Sequence, residues 1–281
     1  MTTSRRSAEV RLERVDIYRP ENPHEFDFSE LKTFLQSHFS SLKVTLRPPV
    51  LATKAKAGKE PLALSLARAR VKDPSSNVQE FEPMLGEVDY ETRSLSGKVR
   101  VGGVVYDGRR LEDICMAAVG VSPIRSIASI VLTDRLVSTF STDDLRHHLR
   151  TIVCGFPSIV SLPGIVEAPA KPREYYVMKR KLELEGGRKL DLELLKREFR
   201  GRFVDYDDPA MLEVLKGLAL QAVLFHLTLA PFCDDRRCRL FNAHWQDDLI
   251  RSQLRPRGLC RRHSRQIKSL SERPVVAWAH P

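Results

Sequence analysis

The amino-acid sequence predicts an α/β fold: a mixed sheet packed with helices, followed by a small C-terminal helical module. Three observations carry this expectation. Segments of period-two apolar alternation take turns with segments of helical spacing, as a sheet covered by helices requires. A long apolar run, Met211 to Leu229, follows the helix-start signal Asp207-Asp208-Pro209. Beyond Pro231 the character changes, and cysteines and arginines recur at short fixed spacings. The chain of 281 residues suffices for one large domain or two modest ones at about 100 to 200 residues each. The expected organisation is a flexible tail over 1–9, an α/β domain over 10–230 and a module over 231–281 packed on it.

Val15 and Ile17 alternate with polar residues and mark a half-buried strand. Leu31, Phe34, Leu35, His38 and Phe39 then recur at helical spacing, and Leu42, Val44 and Leu46 return to period two. Pro48-Pro49 closes this opening. Thr53 to Pro61 reads as an exposed basic loop and Lys72 to Gly97 as a long polar surface connection. Val99 to Tyr106 has strand character, Asp107-Gly108 that of a turn, and Leu111, Ile114, Cys115 and Ala118 share one helix face. Ile127 to Phe140 is the strongest strand signal, and the polar run Ser141 to Asp144 reads as a helix start ahead of His147-His148. Thr151 to Val166 resumes strand character but is interrupted by Gly155, Pro157, Pro163 and Gly164, as at edge strands or bulges. Helices are expected over Pro172 to Glu185 and Leu190 to Phe199, separated by Gly186-Gly187, and over the apolar run that ends at Pro231.

With 42% hydrophobic and 29% charged residues, the composition excludes a wholly disordered or fibrous chain. Met1 to Tyr18 lacks the apolar core of a secretory signal. The apolar stretch Gly217 to Phe232 spans 16 residues and holds Gln221 and His226, short of the roughly 18 to 20 that cross a bilayer. No membrane span is expected. Five cysteines in a chain of this size do not form a disulfide framework, which points to a reducing, cytoplasmic setting. Net charge is +10, and Pro231 to Pro281 holds 11 Arg and Lys against 5 Asp and Glu. That local excess suits phosphate binding or a solvated surface, and charge does not choose between them.

The chemistry concentrates in Cys233-Asp-Asp-Arg-Arg-Cys238 and Cys260-Arg-Arg-His263, a C-x4-C pair and a C-x2-H pair with 21 residues between. Two short pairs around a long spacer are how the chain brings four ligands to tetrahedral zinc. Arg236, Arg237, Arg261 and Arg262 offset the charge of a three-thiolate site. Cys233, Cys238, Cys260 and His263 are therefore the predicted metal ligands, for one zinc ion. With all four positions filled by protein the site is closed and structural. Asn242 to Leu254 reads as a helix with Trp245, Leu249 and Ile250 inward and Asp248 and Arg251 outward. His244 is a possible substitute ligand with an alternative packing or surface role. Cys115 and Cys154 read as small buried hydrophobes.

A long apolar helix running directly into C-x4-C, with a second short ligand pair downstream, resembles the archaemetzincins. The resemblance covers mainly residues 209–263, with weaker similarity of element order from Ile127 to Ala170. It implies a metzincin-like mixed sheet and descent from zinc metallopeptidases. In that family the helix carries H-E-x-x-H-x-x-G-x-x-H just before C-x4-C-x-M, and a later C-x2-C completes a structural zinc. Counted back from Cys233, the first motif histidine falls on Ala222, the glutamate on Val223, the second histidine on His226, the glycine on Leu229 and the third histidine on Phe232. The methionine falls on Leu240, and His263 replaces the fourth cysteine. The closed metal pattern is thus matched, whereas the catalytic motif keeps one histidine of three and loses its general base. The hydrolytic mechanism needs an open three-histidine zinc and a carboxylate, so it does not carry over.

Glu167, Glu174 and Tyr175 lie in a proline-stiffened stretch and are the residues that could join His226 in a rearranged cleft. Capping at a helix start explains the same Pro and Glu. His147-His148 is a weaker metal candidate, because neighbours on a helix point apart. Three functions follow as expectations: a zinc-stabilised, metallopeptidase-like protein that binds peptides or a protein partner; a metal-dependent peptidase with ligands rearranged around His226; and nucleic-acid binding through Arg236, Arg237, Arg255, Arg257, Arg261, Arg262 and Arg265, with Trp245 and Trp278 as stacking surfaces.

Overall fold

The computed structural model describes residues 10–120, 126–187, 189–206, 208–255 and 258–279. The tail predicted over 1–9, together with Asp207 and Arg257, lies outside these. A five-stranded sheet runs in the order β2-β1-β4-β8-β7, formed by β1 (Arg14–Tyr18), β2 (Lys43–Arg47), β4 (Ile127–Thr133), β7 (Ile152–Val153) and β8 (Ser158–Ser161). β1 is parallel to β2 and β4, β4 is parallel to β8, and β7 is an antiparallel edge strand. β3 (Val105–Asp107), β5 (Leu136–Ser141) and β6 (Arg146–Arg150) make a second, smaller sheet.

Register explains how the main sheet buries both faces. Val15, Val44 and Ala128 align, as do Ile17, Leu46 and Ile130, and all six face one core. That core includes α1 (Ser29–His38) and the long α9 (Ala210–Thr228), which pack on one another, with α11 (Arg261–Glu272) beside α1. The intervening residues point the other way, toward α2 (Val50–Ala55), α3 (Lys59–Arg68), α4 (Leu85–Leu95) and α5 (Gly108–Val119); Tyr18 and Val131 pack on that side. A satellite cluster of Tyr175, Leu195, Phe199 and Phe203 joins α7 (Arg173–Leu184) to α8 (Lys189–Glu198) and the loop after it. Two short elements complete the chain: α6 (Leu162–Glu167), and α10 (Gln246–Leu249), which continues into a π-helical turn, Ile250–Leu254.

α9 is 19 residues long, and 72% of its most apolar window is buried inside the fold. It meets the length and composition of a membrane span, yet it is the central core helix. The Asp208 carboxylate accepts from the Ala210 N–H at 2.9 Å and starts it.

Several expectations are corrected. The loop expected over 53–61 is mostly helical, because Pro61 sits in the first turn of α3, where a missing N–H costs nothing; Val50, Leu51 and Ala55 anchor α2. The connection expected over 72–97 contains α4, whose inward face carries Glu87, Glu91, Ser94 and Leu95. A helix that buries carboxylates gives no apolar stripe to read. Ile127 to Phe140 is not one strand, since β4 and β5 belong to different sheets and part at Asp134-Arg135. Thr142 to Leu145 is a hairpin turn after the last residue of β5, Ser141, with Leu145 at φ 54, and His147 and His148 lie on β6. Of the Val99 to Tyr106 segment only Val105 and Tyr106 are strand; β3 runs on to Asp107, expected in a turn, which caps α5 by accepting from the Arg109 and Arg110 N–H groups. The segment after Asn242 turns helical only at Gln246. This rotates the predicted face: Trp245 is 52% exposed, while Asp248 is 6% exposed near Arg236 and Arg251.

Candidate metal centre and adjoining groove

The centre forms where the chain leaves α9. Leu229 caps the helix in the left-handed region at φ 57, which swings Pro231 and Phe232 away from the helix axis. Leu229 adopts this conformation although a side chain is strained there. Cys233 and Cys238 follow on a tight loop, with the Cys233 N–H donating to the Leu240 carbonyl at 2.9 Å. Cys260 precedes the first turn of α11, and His263 lies within that turn. Gly217 allows the π-helical turn to close on α9, because a Cβ there would collide with the Gln253 amide. Gln253 in turn donates to the Arg239 carbonyl at 2.9 Å.

One ligand atom from each of Cys233, Cys238, Cys260 and His263 lies within 4.8 Å of all the others. Cys233 Sγ is 3.8 Å from Cys260 Sγ, Cys238 Sγ is 3.8 Å from His263 Nδ1, and Cys260 Sγ is 3.2 Å from His263 Nδ1. A tetrahedron with Zn–S bonds of about 2.3 Å has sulfur–sulfur edges of about 3.8 Å. The set therefore fits zinc in donor type and spacing, with His263 offering Nδ1. The Asp235 N–H points to Cys233 Sγ at 3.4 Å and the Cys260 N–H to Cys238 Sγ at 3.5 Å, which spreads thiolate charge into the backbone.

Electrostatics agree with a cation-dependent site. Burial pushes the Cys238 thiol up to about 12 when no cation compensates it. For Cys260, burial acts upward, but hydrogen bonds from the His263 and Arg262 backbone and the neighbouring thiols outweigh it and hold the group below its ordinary value. Burial, then the Arg262 cation, lowers His263, which favours the neutral imidazole a metal requires.

The positions onto which the resemblance places the catalytic motif lie in different surroundings. Ala222 and Val223 are buried in the core, and Phe232 projects at the surface. His226 is 4% exposed and makes edge-to-face contacts with the Phe156 and Trp278 rings, while its carbonyl accepts from the Trp278 indole at 2.6 Å. The other cleft candidates lie in separate environments. Glu167 accepts from the Tyr206 hydroxyl at 3.1 Å, Glu174 pairs with Arg202 at 3.4 Å, and Tyr175 is buried in the satellite cluster. Glu167 lines a cavity with His24 and Asp134, not the one that His226 reaches. Among the described residues, the Cys/His set is the one group of three or more potential ligands that converges. His244 is exposed, and its carbonyl accepts from the Ala170 N–H. His147 contacts Ser138 and His148 contacts Asp144, on opposite faces of β6. Cys115 is buried; Cys154 is partly exposed, with its thiol pushed up to about 12 by burial.

Beside the centre runs a groove of about 640 Å³, bounded by the edge strand β7, the start of α5 and the end of α9. Phe225, Leu229 and Phe232 give it an apolar wall, and Arg109 spans its rim, donating to Glu112 at 2.9 Å and to the Cys154 carbonyl at 3.2 Å. Sequence reasoning missed this groove, since its walls come from segments far apart in the chain.

Fold and site together define an α/β protein that carries a metal-binding Cys3His cluster against its core helix. The chain belongs to the Probable metallopeptidase family (DUF6775), whose sequence model matches residues 11–270. No curated protein matches it. Among solved structures, the crystal structure of archaemetzincin from Methanopyrus kandleri is similar, with TM-score 0.45 and 12% sequence identity, covering 93% of this chain and 97% of that one.

Proposed function

We propose that this family member uses one closed zinc site to hold its C-terminal module and binds an extended peptide or protein segment in the groove beside β7, without HExxH hydrolysis. The observation that carries the reading is the contrast at the end of α9: four converging ligands on one side, and Ala222, Val223 and Phe232 where a catalytic zinc and its base would be needed. Cys233, Cys238, Cys260 and His263 would hold the ion, and four protein ligands leave no coordination position for water. An edge strand offers unpaired backbone groups to an extended segment, and the apolar wall supplies side-chain pockets. Thiolate ligation suits a reducing compartment, and we place the protein in the cytoplasm.

Metal analysis of the purified protein should return one zinc per chain; two tightly held ions would overturn the single-site reading. A labelled peptide library should show binding without cleavage when metals are added. Cleavage by the wild type that disappears in His226→Ala would replace this reading with a peptidase built on rearranged ligands.

A second reading, phosphate binding by the module, is carried by the exposed side chains of Arg236, Arg237, Arg255, Arg261, Arg262 and Arg265. Retention on RNA or DNA at low salt, falling steeply as salt rises, would support it. Failure to bind at low salt would dispose of it.

A further inference from the structure

The groove beside β7 carries an uncompensated positive charge. β7 is the last strand of the main sheet, so one of its edges has no neighbouring strand. Along the groove it is preceded by Arg150 and followed by Cys154. At the Cys154 end the charges are settled within the fold: Arg109 donates to one Glu112 oxygen, and the other accepts from the Phe156 N–H at 3.0 Å. Arg150 is different. It is half-buried at the close of β6, and its Nε donates at 2.7 Å to the hydroxyl of Thr139, which also lines the groove. Among the described residues, no carboxylate pairs with Arg150 and no acceptor holds its Nη groups. Burial, only partly offset by the Asp144 carboxylate, holds Arg150 below its ordinary value, and Asp144 is itself engaged by Arg146 and His148. Arg150 is thus a partly desolvated cation short of an anion.

With Nε occupied, the two Nη groups remain as an end-on fork that matches a carboxylate. The opposite requirement comes from the end of α9, where Leu229 is 47% and Phe232 39% exposed on the apolar wall. Side chains two residues apart on an extended segment share a face, so one segment can present an acid and an apolar group together. We infer that the occupant of this groove is an acidic, extended peptide segment, with an Asp or Glu side chain on the Arg150 Nη groups and an apolar side chain against Leu229 and Phe232. The inference rests on the peptide reading of the groove and adds the chemistry of the segment it selects.

Calorimetry on the intact zinc-containing chain tests it with the blocked peptide acetyl-Gly-Glu-Ser-Phe-Ser-Glu-Gly-amide and three relatives, in which both glutamates become glutamine, both become lysine, or the phenylalanine becomes alanine. The glutamate peptide should bind at least about tenfold more tightly than each of the others, the scale of a charge-assisted contact in a partly desolvated site. Arg150→Met should bring the glutamate peptide down to the glutamine level and leave the glutamine peptide unchanged. Arg150→Glu should turn the preference toward the lysine peptide, a reversal that a merely structural arginine would not produce; melting temperatures confirm that both variants are folded. Equal affinity for the glutamate and glutamine peptides, or a folded Arg150→Met that keeps the tenfold preference, overturns the acidic selection and leaves the peptide reading standing. Absence of binding by all four peptides at millimolar concentration overturns both.

Discussion

The Arg135 guanidinium donates to the Glu91 carboxylate across 2.8 Å, and neither side chain is exposed to solvent. The Arg135 cation also donates to the Tyr106 hydroxyl at 2.6 Å and lies 3.5 Å from Glu21, while Arg70 reaches the other Glu91 oxygen at 2.6 Å. This network ties α4 to both sheets. Removing one partner strands a buried charge at a cost of about 3 to 5 kcal/mol. Arg135→Met and Glu91→Leu should each show that loss in urea unfolding, and the double variant should lose clearly less than their sum; strict additivity would contradict the coupling.

Metal removal should loosen the module from α9. When free zinc is about a thousandfold above its dissociation constant, binding contributes about 4 kcal/mol, and for a chain of this size that corresponds to roughly a 10 °C change in melting temperature. Chelation should lower the transition by that order, and Cys238→Ser should already melt low and respond little to chelator. An unchanged transition would remove the structural role.

Leu229 occupies a left-handed cap at φ 57. Leu229→Ala keeps the strain and Leu229→Gly relieves it, so the glycine variant should be more stable than the alanine variant by about 1 kcal/mol. Paired urea curves decide the order, and alanine above glycine would show that the turn is unstrained.

Burial and Arg262 hold His263 below its ordinary value in the fold. The unfolded chain therefore takes up the proton first, and stability from this group is complete above its unfolded value of about 6.5 and falls as pH drops below it. Metal-free protein should lose more stability between pH 7.5 and 5.5 than metal-free His263→Asn does. An equal slope in the two proteins would mean that His263 does not titrate differently on folding.

Much of the architecture was readable in one dimension. Val15, Ile17, Val44 and Leu46 alternate because each faces one core across a sheet, and the apolar run after Asp208 is unmistakable because α9 is surrounded by protein. Failures cluster where buried faces are charged. α4 was hidden because Glu87 and Glu91 occupy positions at which an amphipathic pattern calls for leucine. Ile127 to Phe140 looked continuous because nothing local announces that Arg135 leaves the strand to meet partners on α4 and β3.

The sequence alone determined the α/β class and the ligand spacing of Cys233, Cys238, Cys260 and His263, since periodicity and knuckle spacing are local consequences of backbone geometry. Tertiary structure alone decided that Asp16 is clasped by Arg14 and Arg47, that Trp245 faces solvent, and that Glu167, Glu174 and Tyr175 lie in environments apart from His226. Those outcomes depend on which distant segments share a low-dielectric space, and pairing and desolvation between such segments leave no signature in local periodicity.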